Sequence, residues 1–258
     1  MANVIVCYKW VIDEKDIRMN PDRSVDTSRA QRKISEYDKN AIEAGIRAAA
    51  KLGASPVGLT FGGTEAKQSL KDALSRGLEA VYWIGHPAAG TADGLLTARV
   101  LAAAAEKIGD YSLIVCGEGA SDTYARQVGP RLGALLDLPV VTAVCDMEID
   151  GEQLIATRKL EDCIEKVKVS LPAVISVLPE INEAPVPTLK AVLAAGKKPS
   201  QEFTLQSLGL KEEELQPGTS VTGVLAYVMD RKNVILKDGD VATRVKEFVT
   251  YLKKEGVI

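Results

Sequence analysis

The feature that most limits the possible folds is an alternation of short apolar segments with longer helical ones over the first two thirds of the chain. Runs with the length and composition of buried strands lie at residues 3–8, 56–61, 80–84, 112–116 and 139–144. Between them, segments such as 38–52 repeat apolar residues at the three- and four-residue spacing of a helix. Strands joined by helices run parallel, so the sequence predicts an α/β fold with a doubly wound, mostly parallel sheet.

The pattern changes after residue 144. Asp150 and Gly151 give a hairpin signal between two strand-like runs, and residues 165–170 alternate polar with apolar side chains. We expect an added antiparallel ribbon and then a last core strand. From residue 179 onwards, prolines, an acidic stretch and an amphipathic helix replace core-forming sequence. This predicts a first domain at residues 1–184 and a C-terminal segment at 185–258 with an extended tail that does not fold alone and docks on a partner.

The charge and composition exclude several classes of function. The chain has 32 Lys and Arg against 35 Asp and Glu, a net charge of −3. This balance gives no overall positive electrostatic potential that would attract nucleic acid or an anionic membrane. Aromatic residues make up 5% of the chain, too few for a base-stacking surface. No apolar run approaches the roughly 18 residues of a membrane helix, so we expect no membrane insertion. The apolar start is too short for a signal peptide, which favours a cytoplasmic location.

The cysteines and the only histidine argue against metal or triad chemistry. The four cysteines are far apart with no CxxC pair, and Cys7 and Cys116 lie in apolar runs, where buried free thiols are expected. A catalytic triad would have to use His86, which precedes a proline in a loop-like, exposed stretch. We therefore expect no metal site and no catalytic side chain.

Three loops follow predicted strands, at the edge where doubly wound sheets bind ligands: residues 9–13, 61–63 and 117–129. The third gives the strongest signal, because two glycines with the small Ala120 and Ser121 allow the backbone to approach an anion closely. It matches neither a dinucleotide fingerprint nor a P-loop. Phosphate binding and a plain tight turn both fit this segment, and Arg126 or Arg131 would assist a phosphate.

Several ordered segments resemble the β (small) subunits of electron-transfer flavoproteins, most closely the FixA-type branch. They are CYKWVID from residue 7, SEYDKNAIEAGIRAA from 35, LTFGG from 59 with ALSRGLEAVY from 73, GEGASDTYARQVGPRLGALLDLPVVTAV from 117, and KLEDCIEKVKVSLPAVISV from 159. The resemblance extends over nearly the first 200 residues.

The resemblance implies a Rossmann-like adenine-nucleotide fold that forms a heterodimer with an electron-transfer flavoprotein α subunit carrying a redox-active FAD. The β subunit of this family binds AMP, or a second FAD in electron-bifurcating members. The heterodimer takes electrons from dehydrogenases such as acyl-CoA dehydrogenases, in fatty-acid or carnitine metabolism, and passes them to a quinone oxidoreductase or another acceptor. The flavin performs the redox step, so the resemblance implies an electron carrier and not an enzyme.

The resemblance also implies the residues of the site. The cofactor-binding set is Cys7 through its backbone, Ser35, Glu36, Tyr37, Asp38, Phe61, Gly62, Gly117, Glu118, Gly119, Ala120, Ser121, Asp122, Thr123, Arg126, Gln127, Val128 and Gly129. The recognition loop at 185–198 supplies the partner-docking set Leu189, Leu193, Lys197 and Lys198. On this interpretation residues 1–184 are the nucleotide-binding domain, and the C-terminal arm docks on the α subunit.

Two questions stay open at the level of sequence. The family usually has a basic residue and then Gln where this chain has Glu118 and Gly119, so either AMP or FAD fits this subunit. Glu118 beside a diphosphate would be repulsive unless its side chain turned to solvent. The alternative functions are an ATP-dependent enzyme and a stand-alone nucleotide-binding stress-type protein of the same sheet class. The first lacks its signature loops here, and the second usually lacks a ribbon and an arm.

Overall fold

The computed structural model describes residues 2–228 and 231–258. The strands in this part of the chain are β1 (Asn3–Cys7), β2 (Trp10–Ile12), β3 (Arg18–Met19), β4 (Val25–Asp26), β5 (Arg32–Ile34), β6 (Ser55–Gly62), β7 (Ala80–Gly85), β8 (Tyr111–Gly117), β9 (Val140–Asp150), β10 (Gln153–Lys159), β11 (Ile164–Ser170), β12 (Ala173–Val177) and β13 (Ser200–Glu202). The α-helices are α1 (Glu36–Leu52), α2 (Ser69–Ser75), α3 (Gly94–Ile108), α4 (Val128–Leu135), α5 (Leu189–Ala195) and α6 (Val241–Lys254).

Nine of these strands form one sheet in the order β11-β10-β9-β12-β8-β1-β6-β7-β13. All neighbours are parallel except in the ribbon, where β10 runs antiparallel to both β9 and β11. From β1 the chain winds outward through β6 and β7, then returns to place β8 on the other side of β1. The predicted α/β class, mostly parallel sheet and antiparallel ribbon are confirmed. The order also creates a topological switch point between β1 and β8.

The helices cover both faces of the sheet. In β1, Val4 and Val6 belong to a buried cluster with residues of α1 and α2, whereas Ile5 and Cys7 belong to a second cluster with α3 and α4. Successive strand residues point to opposite faces, so a strand buried on both faces reads as a continuous apolar run. That arrangement explains why the central strands were predicted from the sequence.

Most helix ends follow from local chemistry. Gly53 ends α1 in the left-handed conformation, with φ of 60°. The Asp93 carboxylate accepts the N–H groups of Leu95 and Leu96 and so caps α3. Before α2, a 3-10 helix spans Thr64–Gln68, and its N-cap residue Gly63 provides no side-chain bond.

Two regions differ from the sequence predictions. Residues between β1 and α1, expected as a polar loop, form two small antiparallel pairs, β2 with β5 and β3 with β4. His86, expected in an exposed loop, is half-buried, and its Nδ1 accepts the N–H of Ala88 at 3.2 Å. Neither region has an apolar periodicity that would predict its structure. Strand pairing orders the first region, and a hydrogen bond to a nearby backbone N–H orders His86.

The C-terminal arm divides into a packed part and an exposed part. β13 pairs with β7, and Phe203 and Leu215 are buried against the cluster that contains α3. Beyond Leu215 the described residues are largely exposed, and none in α6 is buried. The domain boundary after residue 184 stays a prediction, although the nine-stranded sheet includes β13, which lies beyond that residue. In the described ranges we find no helix with the length and apolar character needed to span a membrane.

Candidate functional site

The candidate site lies at the carboxyl ends of β1 and β8, where the winding of the sheet reverses. Each of these strands leads into a loop, β1 into Lys9 and β8 into residues 118–127. The first residues of α1 lie beside both loops, since a Cβ placed on Gly117 would come within 3.1 Å of the Tyr37 Cβ. Ligands of doubly wound sheets bind in a crevice of this kind.

Asp38 joins the two strand ends. Its side chain is buried, and Oδ2 accepts the backbone N–H of Lys9 at 2.8 Å. The carboxyl also accepts the backbone N–H of Gly117. Burial raises the Asp38 pKa to about 7, a rise opposed by the Lys9 N–H bond and the Lys9 charge and reinforced by Asp122. Asp38 therefore fixes the backbone at the mouth of the crevice.

The loop after β8 is held at both ends. The N–H of Glu118 donates to the carbonyl of Val177 in β12 at 3.0 Å, and the N–H of Ser121 donates to the buried Ser35 hydroxyl at 3.2 Å. Gly129 packs closely on β12, since a Cβ at this position would lie 3.3 Å from the Ser176 Cβ. Between these anchors, residues 122–127 are exposed.

Glu118 does not turn to solvent, the condition under which the sequence left its charge compatible with a diphosphate. Its side chain is 4% exposed, and its carboxylate binds the Arg126 guanidinium and accepts the Tyr124 hydroxyl at 2.6 Å. The Tyr124 ring lies against that of Tyr37, with centroids 5.1 Å apart. Burial is tolerated because the charge is paired and hydrogen-bonded.

The crevice has features that fit an anionic nucleotide. The Ser121 hydroxyl oxygen is buried and has no hydrogen-bond partner. The N–H groups of the first turn of α4, including Val128 and Gly129, have no intrahelical acceptor, and no N-cap side chain binds them. Such groups bind phosphates at helix N-termini. A nucleotide phosphate would therefore find both a hydroxyl and main-chain donors at this edge.

The remaining predicted residues of the loop contribute in different ways. Asp122 forms an ion pair with Lys9 at 2.6 Å and accepts the N–H of Thr123 at 2.8 Å. Gln127 covers the start of α3, where a Cβ at Gly94 would lie 2.7 Å from the Gln127 Oε1. The ordered segments thus meet at one edge, but several polar side chains are already paired within the chain.

Other predicted residues have mainly structural contacts. The Cys7 thiol is buried, and a hydrogen bond with Cys116 together with burial raises its pKa, so only its backbone is suited to ligand contact. Phe61 is buried in the core, and the Gly62 carbonyl accepts the His86 N–H at 2.8 Å. Glu36 is exposed and forms ion pairs with neighbouring lysines.

Two residues of the site were absent from the predicted binding set. Lys9 supplies both a backbone donor to Asp38 and an ammonium group to Asp122. Tyr124 bonds Glu118 and packs on Tyr37. The position of Lys9 directly after the first strand was the available signal, whereas nothing in the sequence indicated the Tyr124 contacts.

The predicted docking residues lie on and after α5. Leu189 and Leu193 are 76% and 66% exposed, and Lys197 is also exposed. Lys198 has contacts within the chain: its Nζ donates to the carbonyls of Leu74 at 3.1 Å and Leu78 at 2.6 Å. The sequence did not predict that role, and a docking role for these four residues stays a prediction.

The fold and the crevice define a doubly wound α/β protein whose candidate site lies at the β1–β8 switch point. The sequence profile described as "Electron transfer flavoprotein domain" matches residues 22–208, more than half of the chain. The chain belongs to the electron transfer flavoprotein family. Electron transfer and association with flavin are properties of that family.

Proposed function

We propose that this chain is the β (small) subunit, of the FixA-type branch, of a heterodimeric electron-transfer flavoprotein. It binds an adenine nucleotide, AMP or FAD, and helps to carry electrons from dehydrogenases to a quinone oxidoreductase or another acceptor. The observation that carries the proposal is the crevice between β1 and β8: the buried Ser121 hydroxyl of its loop lacks a partner, and no side chain caps α4, which follows that loop. Its cytoplasmic location stays a prediction.

The residues proposed to hold the nucleotide act mainly through backbone groups. The segment from Ser35 to Asp38 faces the adenine side, while Gly119 to Gly129 face the phosphates. Asp38 keeps the N–H groups of Lys9 and Gly117 in place and so preserves the shape of the crevice. A flavin, when bound, supplies the redox chemistry, and this chain contributes binding, orientation and electrostatics.

The exposed part of the arm supports a heterodimer. In α6, the apolar side chains of Val241, Val245 and Phe248 recur at helical spacing and are 68%, 55% and 54% exposed. A helix stripe of this kind is normally buried against a second surface. We assign that surface to the flavin-bearing α subunit.

Nucleotide analysis tests the proposal directly. The full chain is co-produced with its large subunit, the complex is purified and denatured, and the released nucleotides are identified by chromatography. One FAD with one AMP per heterodimer, or two FAD, is the expected result; the second would indicate electron bifurcation. A colourless complex without adenine nucleotide would contradict the proposed function.

The recognition loop is tested by the double variant Leu189→Ala and Leu193→Ala. Removing two exposed apolar anchors should weaken dehydrogenase docking, because buried apolar anchors carry much of the energy of an interface. The flavin spectrum should not change. Ile164→Ala, 70% exposed on the distant ribbon, is the matched control. Normal electron uptake by the double variant would show that this loop does not dock the dehydrogenase.

A further inference from the structure

The loop after β8 contains two non-glycine residues in the left-handed backbone region. Tyr124 has φ of 45° and Arg126 has φ of 58°. This region is unfavourable for residues with a Cβ, and it persists where surrounding contacts determine it. The contacts here are those of Glu118, which binds the Tyr124 hydroxyl with one carboxylate oxygen and Arg126 with the other.

Burial differs sharply across this cluster. The Glu118 side chain is 4% exposed, whereas that of Arg126 is 56% exposed. The Tyr124 ring adds a second contact, with its centroid 5.4 Å from the Arg126 Cζ. A guanidinium has five N–H donors in a rigid plane. One guanidinium nitrogen of Arg126 binds Glu118, and the half-exposed side chain keeps further N–H donors for a ligand.

We propose that Glu118 and Tyr124 are positioning residues that aim the Arg126 guanidinium at the phosphate of the bound nucleotide. The inference rests on the proposed function, because it assumes that the crevice binds an adenine nucleotide. Planar paired donors suit phosphate oxygens, and a charge-assisted bond is stronger than a neutral one. Lys9 and Arg126 are each paired with one carboxylate, Asp122 and Glu118. Arg126 is distinguished by its planar guanidinium, which keeps further N–H donors when one of them binds Glu118.

Two alternative roles of the Glu118–Arg126 pair predict different effects of variants on ligand binding. If the Glu118–Arg126 pair only holds the loop in shape, disrupting it changes the binding of every ligand of the crevice alike. If Glu118 competes with the phosphate for Arg126, neutralising Glu118 strengthens phosphate binding. Positioning predicts a third result: neutralising Glu118 weakens the contribution of the phosphate and leaves that of the nucleoside unchanged.

The test compares adenosine with AMP on the full chain by titration calorimetry, after removal of co-purified nucleotide. The ratio of the two dissociation constants isolates the contribution of the phosphate. The variants are Arg126→Gln, Glu118→Gln and Tyr124→Phe. Glu165→Gln is the control, because it removes the carboxylate partner of Arg158 from another Glu–Arg pair, 3.4 Å apart, on the ribbon. Thermal unfolding checks each variant, and Tyr124→Phe tests positioning even if Glu118→Gln does not fold.

We expect Arg126→Gln to lower the adenosine-to-AMP ratio about ten-fold or more, the value of a hydrogen bond between charged groups. Glu118→Gln and Tyr124→Phe should lower it several-fold, and Glu165→Gln should not change it. An unchanged ratio in Arg126→Gln would overturn the inference while adenosine binding still supported the nucleotide site. A wild-type ratio, or a higher one, in Glu118→Gln and Tyr124→Phe would overturn the positioning roles. A wild-type chain that binds neither ligand would overturn the proposed nucleotide site as well.

Discussion

Replacing Asp38 with asparagine tests the electrostatic cost of the buried carboxyl that joins the two strand ends. Asp38 is 5% exposed, and burial raises its pKa from an ordinary value of 3.8 to about 7. Lys9 and Asp122 are the charged groups closest to it, and both are partly exposed, so solvent screens their opposing effects. The N–H groups of Lys9 and Gly117 favour the ionised carboxyl and so oppose the rise of its pKa, but burial outweighs them.

The sign of the pH dependence follows from the raised pKa. Between pH 4 and 7 the folded chain retains a proton on Asp38 that the unfolded chain has lost, so stability falls as pH rises through this range. The stabilisation is fully present below the unfolded pKa and is lost once the pH exceeds about 7. A difference of about three pH units corresponds to roughly 4 kcal/mol of unfolding free energy.

Urea unfolding followed by circular dichroism, repeated from pH 4.5 to 8, measures this effect. Asp38→Asn removes the titrating group, so its stability should fall much less over this range than that of the wild type. Asp146→Asn, an exposed position on β9, is the control and should follow the wild type. Parallel pH profiles for the wild type and Asp38→Asn would refute the assignment of the raised pKa to Asp38.

Three further predictions concern packing. Gly117→Ala places a Cβ 2.5 Å from the Asp38 Oδ1 and should lower the free energy of unfolding in urea by about 1–3 kcal/mol. Gly223→Ala is the control, because no atom lies within 4 Å of a Cβ at that position. Equal stability of the two variants would contradict this packing. Lys198→Met removes the two bonds to the carbonyls of Leu74 and Leu78 and should lower the unfolding free energy by about 1–2 kcal/mol, whereas an unchanged melting temperature would exclude that contribution. Leu154→Ala, in the ribbon and fully buried, should cost about 2–5 kcal/mol in thermal unfolding, and a loss below about 1 kcal/mol would show that this side chain is not tightly packed.

The sheet and its main helices were predictable because one physical pattern determines them. The central strands are buried on both faces, and α1 has its apolar residues on one side, so each gives a continuous or periodic signal. The short strands β2 to β5 gave none. They are two or three residues long and contain charged residues such as Arg32 and Lys33, and β2 pairs with β5 about twenty residues further along the chain.

The sequence predicted which segments form the site, but it did not predict the contacts of their side chains. The sequence indicated that the loops after β1 and β8 contribute, but strand order, which places those loops together, has no local signal. The same limit applies to Glu118, whose partner the sequence does not reveal. Its contact with Arg126 depends on left-handed backbone at Tyr124, which brings that ring within 2.7 Å of where a Gly119 Cβ would lie.

The insertion of β12 between β8 and β9 affects the order in which the protein assembles. β9 has no contact with the parallel sheet except through β12, which leaves the ribosome more than twenty residues after β9 is complete. The hairpins of the ribbon close over short loops, so they form early and at low entropic cost. During synthesis the nascent chain therefore exposes the β8 edge until residue 177 emerges, and an unpaired strand edge is open to mispairing during that interval.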